Sequence, residues 1–290
     1  MGKRLTVFTP TYNRAKLLPN LYKSLIAQNS KEFVWLIVDD GSTDNTEEVV
    51  QSFIDDALIE IKYYKQENQG KHVAHNLAVQ EADSELFVCV DSDDSLTSNA
   101  VEEILMIWDN TPKSSDICGI IGPRSNSRVD KWPKNILYGT LSDLYERYKF
   151  SGDTIIAFRT EIIKQYMFPV FKGEKFLQEN IIYLQIDKHF RYIYTDKILY
   201  IGQYLEDGLS MNIMRIMLKS PKGTALFFIQ KASMARNVID RFKAYACYLA
   251  IEGDKEFLRD YKIDIITKTI GTLLKNRYKR IFKEYMGDMV

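Results

Sequence analysis

The chain has 290 residues, with 39 basic and 39 acidic side chains and 46% hydrophobic residues. This composition excludes disordered and fibrous classes, and the length suits one large α/β domain, alone or with a small extension. A formal net charge of zero disfavours nucleic acid as a partner, because a phosphate backbone selects a basic surface. Leu5 to Thr9 reads as a strand that Pro10 ends, and Ala15 to Gln28 as a helix with apolar residues at Leu17, Leu18, Leu21, Leu25 and Ile26. Phe33 to Val38 is a continuous apolar run of the buried-strand type, which stops at Asp39-Asp40-Gly41-Ser42. A helix over 43–56, a strand over 59–64 and a helix over 70–82 follow. Leu86 to Val90 is another apolar strand; it stops at Asp91-Ser92-Asp93-Asp94, before a helix over 99–110.

Strand alternating with helix at this spacing predicts a mostly parallel sheet covered on both faces, and such sheets bind ligands outside the carboxyl ends of their strands. Every polar cluster just named lies at such an end. From Gly119 to Leu209 the texture is mixed, with short apolar runs over 154–158, 192–194 and 197–200 and a loop-like segment, Gly122 to Asn135. From Pro221 to Gly287 it is helical. We therefore place one domain at 1–215 and a helical extension at 216–290.

Three cysteines, Cys89, Cys118 and Cys247, lie far apart without a CxxC pair, which disfavours a disulfide framework or a structural zinc and fits a reducing compartment. No uncharged apolar run approaches the ~18 residues of a membrane span. The start does not resemble a secretory signal. Gly2 and Thr6 match a myristoylation pattern, but a strand that begins at once would pin the site. A cytoplasmic location is the expectation.

Four constellations carry chemistry. Asp91, Asp93 and Asp94 are mutually repelling carboxylates suited to Mg²⁺ or Mn²⁺, with a substrate diphosphate completing the shell. The bland alternative is a solvated turn that caps the next helix. An EF-hand is rejected, because Leu96 stands where such a loop needs glycine. Asp39 and Asp40 can accept hydrogen bonds from a base or ribose, although the stretch also offers helix caps. Thr9-Pro10-Thr11-Tyr12-Asn13-Arg14 places a ring at Tyr12 that can pack on a planar base; by itself it reads as a turn. Gly70 permits close backbone approach, and Lys71 and Asn76 suit a phosphate or sugar. His72 and His75 lack a third zinc ligand nearby and read as ordinary helix residues.

The order of these motifs, each after its own strand, resembles the family 2 inverting glycosyltransferases, which have the GT-A fold and use nucleotide sugars. The resemblance is specific from Leu5 to about Asn110 and looser to Ser210. It implies that Thr9, Pro10 and Tyr12 line a base pocket and that Asp40, supported by Asp39, bonds the base of a UDP donor. Lys71 and Asn76 would face the donor. Asp91 would meet the ribose or the metal, and Asp93 would hold Mn²⁺ or Mg²⁺. Asp207 stands where relatives often carry a histidine; either it is a further oxygen ligand, or its loop only closes over the diphosphate, the reading we favour. For the general base, Gly173-Glu174-Lys175-Phe176-Leu177-Gln178-Glu179-Asn180 matches a paired-acid motif in which Asn180 replaces the second acid. Glu179 is the candidate base and Glu174 the fallback, against a plain helix-surface acid.

The resemblance implies a metal-dependent transferase acting on a hydroxyl of a saccharide acceptor, free or lipid-linked, in cell-surface polysaccharide synthesis. The rivals are a catalytically silent scaffold and a sugar nucleotidyltransferase; the latter is disfavoured because 9–14 has no glycine. Trp132 is either a sugar-stacking ring or packing. From Lys268 to Val290 six basic residues face two acidic ones, on a pattern with one apolar face. That face meets either an anionic membrane, over 268–286 at the inner side of the cell membrane, or the catalytic domain.

Overall fold

The computed structural model describes residues 2–112, 114–125, 131–202, 213–251 and 256–287. In chain order the elements are β1 (Leu5–Thr11), α1 (Leu18–Ile26), β2 (Phe33–Asp39), α2 (Thr46–Asp56), β3 (Ile61–Lys65), α3 (Lys71–Glu81), β4 (Leu86–Cys89), β5 (Ser95–Leu96) and α4 (Ala100–Asn110). Then come β6 (Ile117–Pro123), β7 (Tyr138–Gly139), β8 (Thr154–Arg159), α5 (Thr160–Ile163), α6 (Asn180–Ile186), β9 (Arg191–Tyr194) and β10 (Tyr200–Ile201). The remaining helices are α7 (Ile213–Leu218), α8 (Pro221–Met234), α9 (Val238–Ala250), α10 (Phe257–Asp260) and α11 (Ile265–Gly287). Two compact units result, Met1–Met167 with Ile186–Gln203, and Phe168–Gln185 with Tyr204–Val290.

In the first unit an eight-stranded sheet runs β3-β2-β1-β4-β8-β6-β9-β7. β1 pairs in parallel with β2 and β4, and β2 with β3; β8 is inserted antiparallel between β4 and β6. Leu5, Val7, Trp35, Ile37 and Val88 face α1 and α2, where Tyr22 and Phe53 stack with ring centroids 4.1 Å apart. On the other face Phe8 and Phe87 hold the edge of the His75 ring of α3, 5.7 and 5.5 Å away. Burial on both faces explains why these strands read as unbroken apolar runs.

β1 continues through Pro10, where the sequence reading ends it. In a parallel strand alternate residues address alternate neighbours. The Val90 amide donates to the Phe8 carbonyl, and the Asp40 amide to the Thr11 carbonyl, so even-numbered residues of β1 face β4. The paired register of β1 with β4 ends at Phe8 and Cys89, so Pro10 lies beyond it.

The second unit is helical. Asn237 caps α9 by accepting from the Ile239 amide at 2.8 Å. α11 packs on α9 through Thr267 and Gly271; a Cβ at Gly271 would lie 2.7 Å from the Tyr245 ring. Phe282 stacks on Phe228 of α8. The segment 168–185 belongs to this unit rather than to the sheet. Its Glu174 carboxylate accepts from the Lys222 and Gly223 amides at 2.7 and 2.8 Å, which satisfies open donors in the first turn of α8. Leu177 packs beside Gly223. The units thus divide the chain differently from a single boundary at 215.

Candidate active site

The carboxyl ends of β1, β2 and β4 converge. Val90 continues the β4 ladder, and the chain then turns, with the Asp94 amide donating to the Asp91 carbonyl at 3.1 Å. The turn brings one carboxylate oxygen each of Asp91, Asp93 and Asp94 within 4.8 Å of one another. Burial, with Asp91 and Asp94 beside it, pushes the Asp93 carboxyl above its ordinary range. Concentrated negative charge of this kind is what a divalent cation relieves, and carboxylate oxygens are hard ligands suited to Mg²⁺ or Mn²⁺. The residues present therefore fit such an ion. Asp207, the other candidate ligand, lies outside the described residues.

The three acids are not equivalent. Asp94 is 4% exposed. One of its oxygens pairs with the Arg124 guanidinium at 2.8 Å, and the other accepts from the Tyr200 hydroxyl. Arg124 also pairs with Asp153 and lies over the Tyr200 ring, 5.4 Å from its centroid. Gly202 leaves the room for this, because a Cβ there would overlap the guanidinium. Asp94 thus anchors the turn, and the half-buried Asp91 and Asp93 present the remaining charge. Cations stand nearby: Lys71 Nζ is 2.7 Å from Asp91, and Arg14 lies close enough to draw down the Asp93 carboxyl.

The acids at the end of β2 are differently engaged. Asp39 is fully buried; it accepts from the Ser42 amide and the Tyr63 hydroxyl, both at 2.8 Å. Asp40 accepts from the Gln66 side chain and from the Gln69 and Gly70 amides at 2.7–2.8 Å. Gly70 has φ +99°, a conformation that side chains disfavour, and this aims its N–H at Asp40 just before α3 begins. Three of the roughly four lone-pair sites of the Asp40 carboxylate are filled, so one contact to a ligand remains open to it.

The loop after β1 is tied to the loop after β2. The Asn13 side-chain oxygen accepts from the Thr43 amide at 2.8 Å, and the Asn13 amide donates to the Ser42 hydroxyl at 2.8 Å. Tyr12 stands 47% exposed beside this junction, with Pro10 half-buried. Thr9 does not line the opening. It is fully buried, and its hydroxyl accepts from the Trp35 indole at 2.9 Å, because residues 5, 7 and 9 share the face toward α1 and α2. Lys71 and Asn76 are both half-buried on α3 but point about 140° apart around the helix. Lys71 contacts the acidic turn through Asp91.

Two further assignments change. Glu174 is buried with both oxygens bonded at the start of α8, so it anchors that helix and is withdrawn as the fallback base. Trp132 is buried, with its ring edge-on to Phe150 at 5.0 Å, so it packs rather than stacks on a sugar. Glu179 is exposed immediately before α6, and its carbonyl accepts from the Ile182 amide. Arg124 and Tyr200, which brace the acidic turn, escape the sequence reading. They are 30 and 106 residues from Asp94 in the chain, and no local pattern marks them.

The family model for Glycosyl transferase family 2 matches residues 6–173, more than half of the chain. A Campylobacter jejuni protein, the GalNAc(5)-diNAcBac-PP-undecaprenol beta-1,3-glucosyltransferase, is 35% identical over 104 residues, covering 35% of this chain and 33% of that protein. The chain spans well under half the length of the curated relatives it matches. Among solved structures, S. aureus TarS 1-349 in complex with UDP-GlcNAc superposes with a TM-score of 0.60 at 20% identity, over 86% of this chain and 72% of that one. The mannosyltransferase PcManGT from Pyrobaculum calidifontis, in complex with GDP-Man and Mn²⁺, gives 0.59 at 16% identity, over 99% and 83%. At these identities the likeness establishes a GT-A-like fold.

Proposed function

The chain belongs to glycosyl transferase family 2, and we propose that it moves a sugar from a nucleoside diphosphate, UDP, to a hydroxyl of a saccharide acceptor in cell-surface glycan synthesis. The observation that carries this reading is the acidic turn after β4, where Asp91 and Asp93 stand half-buried and the third acid, Asp94, is held by Arg124 and Tyr200. A relative named for an undecaprenol-linked substrate supports a lipid-linked acceptor.

In this reading Asp93 and Asp91 hold Mn²⁺ or Mg²⁺, which when bound offsets the charge on the departing diphosphate. Tyr12 packs on the base, and Asp40 directs its remaining lone pair at the base edge. Lys71 is shared between Asp91 and the donor phosphates. Glu179 takes the proton from the acceptor hydroxyl as that oxygen attacks the anomeric carbon from the face opposite the diphosphate. Glu179→Gln should then lower turnover by about 10²-fold with UDP affinity unchanged; retention of more than half the turnover would place the base elsewhere.

The deciding experiment is thermal unfolding with UDP in the presence of Mn²⁺ or of chelator. UDP should stabilise the protein with Mn²⁺ and far less with chelator. Equal stabilisation in both conditions would remove the metal from the donor site.

A further inference from the structure

The helical unit carries a surface that its own packing leaves uncovered. The apolar pattern of α11 predicts one face; the structure divides it in two. Thr267, Gly271 and Phe282 are buried, with Leu274 and Tyr278 half-buried between them, against α8 and α9. Ile265, Ile266 and Leu273 lie outside that seam, exposed by 74%, 61% and 78%. α9 and α11 run in the same direction: Arg241 near the start of α9 pairs with Asp264 at the start of α11, and Tyr245 then meets Gly271. The two helix starts are therefore neighbours, and α9 opens on Val238 and Ile239, which are also exposed. Four aliphatic side chains thus project at one end of the helix pair, with Leu273 two turns along. A cluster of this kind is uncommon on a monomer's surface and marks a contact site.

Charge selects the occupant. Among exposed or half-buried side chains, α11 carries Lys268, Lys275, Arg277, Lys279, Arg280 and Lys283 against Glu284 alone. Lys243 of α9 and Lys262 just before α11 are exposed as well; the acids at this end are Asp240, Asp260 and Asp264, the last paired with Arg241, so the basic excess lies along α11. A second copy docked through the same patch would set like charges against each other, since a two-fold interface repeats each residue on both sides. An anionic partner is favoured instead. The projecting side chains are aliphatic, which suits insertion among acyl chains with basic groups at headgroup level. No described helix is long and apolar enough to cross a membrane, so the contact is with the surface.

We propose that Val238, Ile239, Ile265, Ile266 and Leu273, with the basic residues along α11 beside them, form a docking surface for an anionic lipid bilayer. The surface differs from the apolar face over 268–286, most of which is engaged within the helical unit. It is independent of the transferase reading, because lipid binding can be read without donor or acceptor.

The test is flotation of the full chain with vesicles of phosphatidylcholine containing about 30% phosphatidylglycerol, with pure phosphatidylcholine as control, at low and high salt. Anionic vesicles should carry at least about ten times more protein than neutral ones at low salt, with the difference shrinking as salt screens the charge. Ile265→Asp with Ile266→Asp should abolish flotation, and Arg277→Glu with Arg280→Glu should weaken it about ten-fold. These positions are exposed, so unfolding temperature should hardly move; a variant that unfolds is replaced by Val238→Ser with Ile239→Ser. No flotation with anionic vesicles at low salt, or flotation indifferent to the aliphatic variants, overturns the proposal. A dimer in solution that the same variants split would also overturn it, in favour of a second copy.

Discussion

Two acidic corners sit at the ends of the strands on either side of β1, and as text they look alike: Asp39-Asp40 after β2 and Asp91-Ser92-Asp93-Asp94 after β4. Their employment differs. At the first, both carboxylates face inward and accept five hydrogen bonds from Ser42, Tyr63, Gln66, Gln69 and Gly70. At the second, Asp94 is buried and matched by Arg124 and Tyr200, while Asp91, paired with Lys71, and Asp93 stay half-buried at close quarters. The first corner builds loops. The second stores repulsion that a cation or a phosphate-bound cation can relieve. An acidic strand end is therefore a ligand site to the extent that its charge is left unmatched by the chain's own donors.

Substitution separates the corners most sharply. Asp93→Asn removes a like charge from the crowded turn, so the metal-free protein should unfold in urea at the same concentration or slightly higher. Transferase turnover should fall by about 10³-fold, equivalent to ~4 kcal/mol of barrier. Asp40→Ala should behave in the opposite sense for stability: it leaves the Gln69 and Gly70 amides without their acceptor and should cost about 3 kcal/mol by urea unfolding. If Asp40→Ala were as stable as the parent while Asp93→Asn unfolded early, the assignment of loop-building and ligand-holding roles would be reversed.

Much of this contrast was unreadable beforehand for reasons that can be named. The residue types at both corners and Lys71 were legible, because polar clusters at the ends of apolar runs stand out. Which carboxylate was left unmatched was not. Asp94 is matched through Arg124, at the end of β6, and Tyr200, in β10, and their approach depends on β8 being inserted antiparallel beside β4. That insertion has no signal beyond a short apolar run over 154–158. Thr9 was misplaced because β1 is buried on both faces, so its sequence does not alternate and its facing cannot be read. On α11 the helical period was legible, but the choice of seam depends on Gly271 meeting Tyr245, a tertiary fit.

The bracing of Asp94 supplies a smaller effect. Tyr200 is buried, and burial together with Asp91 and Asp94 drives its hydroxyl well above the ordinary tyrosine range, so it stays a donor. Tyr200→Phe keeps the ring under Arg124 and removes the hydroxyl. Losing the hydrogen bond it donates to Asp94, and the long one it accepts from the Asp91 amide at 3.4 Å, should cost about 2 kcal/mol in urea unfolding. Mn²⁺-dependent stabilisation by UDP should weaken without vanishing, since Asp91 and Asp93 remain. Complete loss of the metal response would show that the turn's geometry, rather than its two outer carboxylates, carries the site.

The smallest effect concerns α3, which touches both corners. Gly70 before it donates to Asp40, and Lys71 at its start pairs with Asp91. What holds α3 on the sheet therefore holds the two corners in register. His75 is part of that hold, edge-on to Phe8 and Phe87. Burial, with a smaller push from Lys71, drives its pKa down to about 3. The unfolded chain, by contrast, takes up this proton near 6.5. Above about 6.5 the imidazole is neutral in both states and its contribution is complete. Between about 6.5 and 3 the unfolded state binds the proton and the folded state does not, so stability falls as pH falls. From pH 7 to 5.5 the loss should be about 1 kcal/mol from this group. His75→Leu keeps an apolar body of similar reach without titrating, so urea midpoints of parent and variant should converge as pH drops over that range. His72, whose pKa burial also lowers, is present in both proteins and cancels in the difference. Parallel curves for parent and variant would show that His75 is not the titrating group, and that acid loosens α3 through the carboxylates of the two corners instead.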